Sequence, residues 1–214
     1  QGVAAVLLLV SGAAAHAELS GTVGVVSDYD FRGASQTSKD PALQGSIDWA
    51  AENGFYVGAW GSNIDYGPGV DGDIEVDLYG GYAGETGAGL GWGVGLVWDG
   101  YPRADAIDDY PELYLGLSYE WFEFKQWYSN DLYGTDEDAF YSEANASFEL
   151  PANFGLNLHL GYNYGDAFDD TEYMDYSVGV AYTLGNFDLE LKYVDTDLSN
   201  GDPLFSSDDA FNTE

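Results

Sequence analysis

The chain has 214 residues, 45% hydrophobic and 16% aromatic, and sets 38 acidic side chains against five basic ones, for a formal net charge of -33. That apolar and aromatic content excludes a disordered acidic tail, and a chain whose cations are Arg32, Lys39, Arg103, Lys125 and Lys192 has no basic surface to hold a phosphate backbone, which excludes nucleic acid as a partner. With no cysteine, disulfide frames and thiolate metal centres are excluded too.

The first element is an apolar run, VAAVLLLVSGAAAHA, which ends in small residues with Ala15 and Ala17 in an A-x-A arrangement. It is shorter than the roughly 18 to 20 residues needed to span a bilayer, so residues 1–17 read as a secretory signal peptide cleaved after Ala17. Gln1 stands without a preceding Met or basic region, so the true start is expected to lie upstream.

From residue 18 onward the apolar period is two, and strands are predicted at 18–32, 41–52, 54–66, 73–84, 89–100, 110–120, 121–130, 139–150, 154–165, 173–184 and 186–196. In 73–84, Ile74, Val76 and Leu78 alternate with Asp73, Glu75 and Asp77. In 89–100, Leu90, Trp92, Val94, Leu96 and Trp98 share one face, and Gly89, Gly91, Gly93 and Gly95 the other. Leu113, Leu115 and Leu117 repeat the pattern, as do Leu156, Leu158 and Leu160, and Phe187, Leu189 and Leu191. The pattern is weaker in 41–52, 121–130 and 139–150. In 54–66 either Phe55 and Val57 or Tyr56, Trp60 and Ile64 can form the apolar face. Tight turns near 52–54, 84–88, 120–122, 150–153 and 184–186 interleave with longer acidic loops near 33–40, 67–72, 100–109, 131–138, 165–172 and beyond 196. Short and long connections therefore fall on opposite rims of an up-and-down meander.

The second face decides between a soluble sheet with an apolar inside and a membrane barrel with an apolar outside. Glycine on the solvent side of a strand loses backbone entropy without a packing gain. On the wall of a crowded lumen it leaves room for large side chains such as Tyr79, Tyr114 or Trp127. About 11 residues per strand, at about 3.3 Å each and tilted by about 45°, cover roughly the 25 Å of a lipid-facing band. Trp98, Tyr119, Tyr164 and Tyr193 at the ends of apolar faces suit interfacial girdles. The fold class is therefore all-β, an antiparallel up-and-down transmembrane β-barrel over residues 18–214 with outer-membrane lipids around it. Because bacterial single-chain barrels use even strand numbers and the tail FSSDDAFNTE does not alternate, twelve strands are expected, the last one missing from this chain.

SDYDFRGASQT at 27–37, followed by PALQGSIDWAAENGFYVGAWGSNIDY at 41–66, resembles the TorF-type porins, also known as the Gcw_chp conserved bacterial proteins; FDLELKYVDTD at 187–197 is similar in style. The resemblance implies a barrel in the bacterial cell outer membrane of Gram-negative organisms, classed with porins by analogy, and it carries over no solute.

If Val23, Val25, Tyr29 and Phe31 face outward, Asp28, Asp30 and Arg32 point inward near the end of the first strand. Arg32 between two carboxylates is then either a tether that holds the loop from Gly33 to Asp40 against the wall and narrows the mouth, or a structural ion pair. The other inward acids are Asp48, Asp73, Glu75, Asp77, Glu112, Glu123, Glu143, Asp188 and Glu190; the other inward bases are Lys125 and Lys192. His159 falls on the same face. Such an acidic excess inside low-dielectric walls favours small cations or neutral solutes, unless side chains plug the barrel. The loop acids Asp136, Glu137, Asp138, Asp166, Asp169, Asp170 and Glu172 show no EF-hand spacing and read as solvated charge, so no metal site is assigned. No phosphate loop, zinc pattern or dinucleotide fingerprint is present, and His159 has no serine beside it on its strand, so neither a cofactor nor an enzyme activity is expected. The leading reading is a porin-like channel for passive diffusion. The alternatives are a non-conducting structural or adhesive barrel with cation-binding loops, and a soluble periplasmic barrel that carries an apolar ligand.

Overall fold

Period-two alternation is realised strand by strand in the structure, a computed structural model that describes residues 17–67, 72–104, 107–169 and 171–198. Residues 1–16, expected as signal peptide, together with Asp170 and the tail 205–214, lie outside the described residues. The strands are β1 (Glu18–Val26), β2 (Asp30–Phe31), β3 (Ala34–Ser35), β4 (Ala42–Ala50), β5 (Phe55–Asn63), β6 (Ile74–Glu85), β7 (Gly91–Gly100), β8 (Tyr110–Tyr119), β9 (Phe122–Ser129), β10 (Ala139–Leu150), β11 (Phe154–Tyr164), β12 (Tyr173–Leu184) and β13 (Phe187–Thr196). All but β2 and β3 form one antiparallel sheet of eleven strands, each paired with its neighbours in chain order; β2 and β3 pair only with each other. The sheet is not closed: β1 and β13 are its two ends.

The faces point as the alternation requires. Leu78, Leu96 and Leu115 are exposed on the outer face, and Glu75, Asp77 and Glu112 are buried on the inner one. The ambiguous strand β5 resolves the same way, with Phe55 and Val57 exposed while Trp60 and Ile64 turn inward. β1 and the first five residues of β13 are exposed on both faces, and among the described residues no strand pairs with their outer edges.

Aromatic side chains gather at both ends of the outer face. At the tight-turn end, Trp49 packs on Phe55, Tyr82 on Trp92, Trp121 on Phe148 and Phe154 on Tyr182. At the long-loop end, Tyr128, Phe140, Tyr164 and Tyr162 form a continuous row with centroids 5.1 to 5.3 Å apart. The hydroxyls there reach the rim acids: Tyr128 donates to Asp138, Tyr162 to Glu172 and Tyr193 to Asp195.

On the inner face, glycines make space for tyrosines on the facing strand. A Cβ at Gly58 would sit 2.4 Å from the ring of its cross-strand partner Tyr79, and one at Gly95 would sit 2.7 Å from the ring of its partner Tyr114. Val97, Tyr114, Trp127 and Tyr141 form a buried interior cluster, with Tyr56 and Tyr79 packed against it.

One expected element is wrong in its course. Residues 18–32 are not a single strand, since β1 stops at Val26 and Tyr29, expected to face outward, is 2% exposed with its ring packed on Trp60 at 5.4 Å. The cause lies in the polar residues that follow. The Asp28 carboxylate accepts from the Ser35 hydroxyl at 2.6 Å and the Thr37 hydroxyl at 3.1 Å, while the Gln36 backbone N–H donates to the Tyr29 carbonyl at 2.6 Å. These bonds fold the chain back on itself. The turn between β2 and β3 is the pair Arg32 and Gly33 with φ of 51° and 83°, the positive-φ pair of a type I′ hairpin.

Candidate functional site

The hairpin made by β2 and β3 is inserted into the curve of the sheet, and the strands around it supply its anchors. Arg32 Nη2 donates to both oxygens of Glu112 on β8, at 2.9 and 2.8 Å, with both side chains buried. The guanidinium also lies 4.6 Å from the ring centre of Phe31, 5.6 Å from that of Trp127 and 4.4 Å from that of Tyr141. Burial works against the Arg32 charge, but the Glu112 carboxylate outweighs it and lifts the guanidinium pKa above its ordinary value. On the far side, Tyr173 of β12 donates to the Arg32 carbonyl at 2.9 Å, and Gly33 lies against Thr196 and Asp175. A tip that touches β8, β9, β10, β12 and β13 shows that the sheet wraps around it. Arg32 is ion-paired as expected of an inward cation, but with Glu112 rather than the adjacent aspartates, an arrangement that fits a loop tether and a structural ion pair alike.

Above the hairpin, at the long-loop end, Tyr29, Ile64, Tyr101, Tyr110 and Leu132 form a buried cluster. Tyr133 packs on it edge-on to Tyr110, with centroids 5.0 Å apart. Burial drives the phenols of Tyr29, Tyr101 and Tyr133 well above their usual pKa, so this roof stays neutral. Below the hairpin lies a cavity of about 690 Å³, lined by Asp30, Arg32, Asp77, Asp99, Glu112, Lys125, Trp127, Tyr141, Glu143, His159, Asp175 and Lys192, which reaches Glu85, Ser118 and Glu120 at the tight-turn end.

Two polar clusters line this cavity. In one, Lys125 pairs with Glu123 at 3.0 Å, Trp127 donates to Glu143 at 2.7 Å, and His159 has Nδ1 2.6 Å from Asn145 and Nε2 2.9 Å from both Asp175 and the Tyr141 hydroxyl. Every polar partner of His159 is an interior wall residue. In the other cluster, Glu75, Asp77 and Asp99 each offer a carboxylate oxygen within 4.8 Å of the others, a set of hard donors able to hold a cation.

The structure brings together Asp30, Arg32, Asp77, Glu112, Glu123, Lys125, Glu143, His159, Glu190 and Lys192 around the cavity, with Glu75 next to Asp77 on the same face of β6. It keeps the others apart. Asp28 is spent on the hairpin, Asp48 accepts from the Tyr79 hydroxyl outside the cavity lining, and Asp188 is exposed and holds Thr183 at 2.7 Å. Asp73, expected inside, is a correction: its side chain is exposed at the rim and pairs with Arg103 at 2.7 Å, because β6 begins only at Ile74. Asp99 and Asp175 were missed, although the alternation of their own strands puts both on the inner face.

The fold and site together define the class: an all-β antiparallel meander curled around a charged interior into which its first long loop is inserted. The model of the family described as "Bacterial protein of unknown function (Gcw_chp)" matches residues 10–213, and the chain belongs to that family. Searches of curated proteins and of solved structures found no match.

Proposed function

We propose that this chain forms a porin-like β-barrel of the bacterial outer membrane, of the TorF type, that passes small cations or neutral solutes by diffusion through a narrow acidic interior. The observation that carries this reading is the inverted polarity of the sheet. Leucines, valines and tryptophans are exposed on the outer face across most of the strands, while carboxylates and lysine are buried inside around a cavity of about 690 Å³. Soluble monomers rarely expose apolar patches beyond a few hundred Å². A hydrocarbon surround gives that face a reason, and the two aromatic rows fit the interfacial girdles that bound a lipid band. The apolar leader ending at Ala17 fits export. In hydrocarbon the unpaired edges of β1 and β13 require a hydrogen-bonding partner.

In this reading the inserted hairpin narrows the passage where Arg32, Glu112, Asp77, Asp99 and Asp175 line the cavity. Because acids outnumber bases there, the interior favours cations. Planar-bilayer recording of the complete protein tests the reading: small cation-selective steps are expected, and larger ones when residues 30–35 are replaced by a short Gly-Ser link. Silence in both forms, or anion selectivity, counts against it. Silence in the intact protein with steps in the hairpin replacement favours a second reading, a barrel occluded at rest, for which the tyrosine and leucine cluster at the long-loop end is the specific support.

A further inference from the structure

Glu75 and Asp77 on β6 and Asp99 on β7 stand side by side on the inner wall, with Asp77 and Asp99 directly paired across the two strands. They are 3%, 5% and 4% exposed. The ion pairs of the described Lys and Arg residues go elsewhere: Arg32 to Glu112, Arg103 to Asp73 and Lys125 to Glu123. Close carboxylates in a poorly solvated wall repel one another, so a trio without a direct ion-pair partner is costly.

A second observation is independent of their clustering. Glu75 Oε2, Asp77 Oδ1 and Asp99 Oδ2 are buried with no hydrogen-bond partner, and so is the hydroxyl of Tyr110, the cross-strand partner of Asp99. Buried polar atoms are otherwise almost always satisfied. The remaining side of the trio is positioned, since the Tyr101 hydroxyl donates to Glu75 Oε1 at 3.0 Å. Asp77 and Asp99 also line the cavity, which gives an ion a path from the tight-turn end.

We propose that Glu75, Asp77 and Asp99 form a binding site for a divalent cation of the Ca²⁺ type within the wall beside the hairpin. The donors are all hard oxygens, the combination that suits Ca²⁺, and a double positive charge offsets most of the trio's charge. The bound ion would fix β6 to β7 in the cavity wall that also carries the Arg32–Glu112 pair and change the field there.

The test is Ca²⁺ titration of the full chain folded in detergent and stripped with chelator, followed by calorimetry and by the thermal unfolding midpoint. One saturable equivalent per chain and a raised midpoint are expected. Asp77→Asn/Asp99→Asn should lose that equivalent, weakening binding by more than about tenfold. Asp136→Asn/Glu137→Gln, in an exposed loop, should keep it. If the double variant does not fold, the single Glu75→Gln carries the same expectation. Absence of saturable uptake, or uptake lost in the loop variant and kept in the wall variants, overturns the assignment. Binding is read without flux, so a silent bilayer experiment leaves this site standing and an absent site leaves conduction open.

Discussion

Arg32 is the residue on which the interior turns, because its charge is buried and a single carboxylate holds it. Removing one partner of a buried ion pair strands the other, which costs about 3–5 kcal/mol, whereas replacing both with apolar groups of similar volume is close to neutral. Arg32→Met should therefore lower unfolding stability in detergent by about 3–5 kcal/mol, and Arg32→Met/Glu112→Leu should recover most of that loss. Equal losses in the single and double variants would mean that the rings of Phe31, Trp127 and Tyr141, rather than Glu112, hold the side chain. Sequence alone placed Arg32 inside but paired it with Asp28 and Asp30, its neighbours along the chain. Glu112, 80 residues away, becomes its partner only when the sheet curls.

At the scale of elements, the strands were legible and the hairpin was not, for a physical reason. A strand declares itself by the alternation of its own residues, so β6 to β8 and β11 to β13 lie within two residues of their expected bounds. The segment after Val26 also alternates, through Tyr29 and Phe31, and the bonds of Asp28 to Ser35 and Thr37, with that of the Gln36 backbone N–H to Tyr29, break the pattern. Those bonds join residues seven and nine apart, a separation that no period-two pattern reads. The hairpin tip offers a controlled test. Gly33 and Gly185 both have positive φ, at 83° and 62°, but a Cβ at Gly33 would lie 2.4 Å from Thr196 Cγ2 while one at Gly185 meets nothing within 4 Å. Gly185→Ala should cost only the backbone penalty of about 1–2 kcal/mol. Gly33→Ala should cost that plus about 1–3 kcal/mol of overpacking, seen as a lower denaturation midpoint. Equal effects would mean that the tip is free of β13.

For the molecule as a whole, the question is what the outer face meets, and the charge pattern cannot answer it because the acids are inside or on the rims under either reading. Leu115 can. It lies midway along β8, 57% exposed, opposite Val94. If that face meets water, Leu115→Lys changes a surface position and should stay within about 0.5 kcal/mol of the parent. If it meets hydrocarbon at the midplane, the same change should cost about 2–4 kcal/mol, because the ammonium must be desolvated or must drag water inward. Equilibrium unfolding from phospholipid vesicles distinguishes the two, and the membrane reading requires the larger loss. Asp188→Lys supplies the contrast, since that side chain is exposed beside the β12 to β13 turn, where water reaches it, and a lysine there should be tolerated in the same vesicles. A penalty at Leu115 without one at Asp188 would map a hydrocarbon layer onto the band between the aromatic rows. Matching small effects at both would leave the exposed leucines facing water and remove the basis for placing the sheet in a membrane.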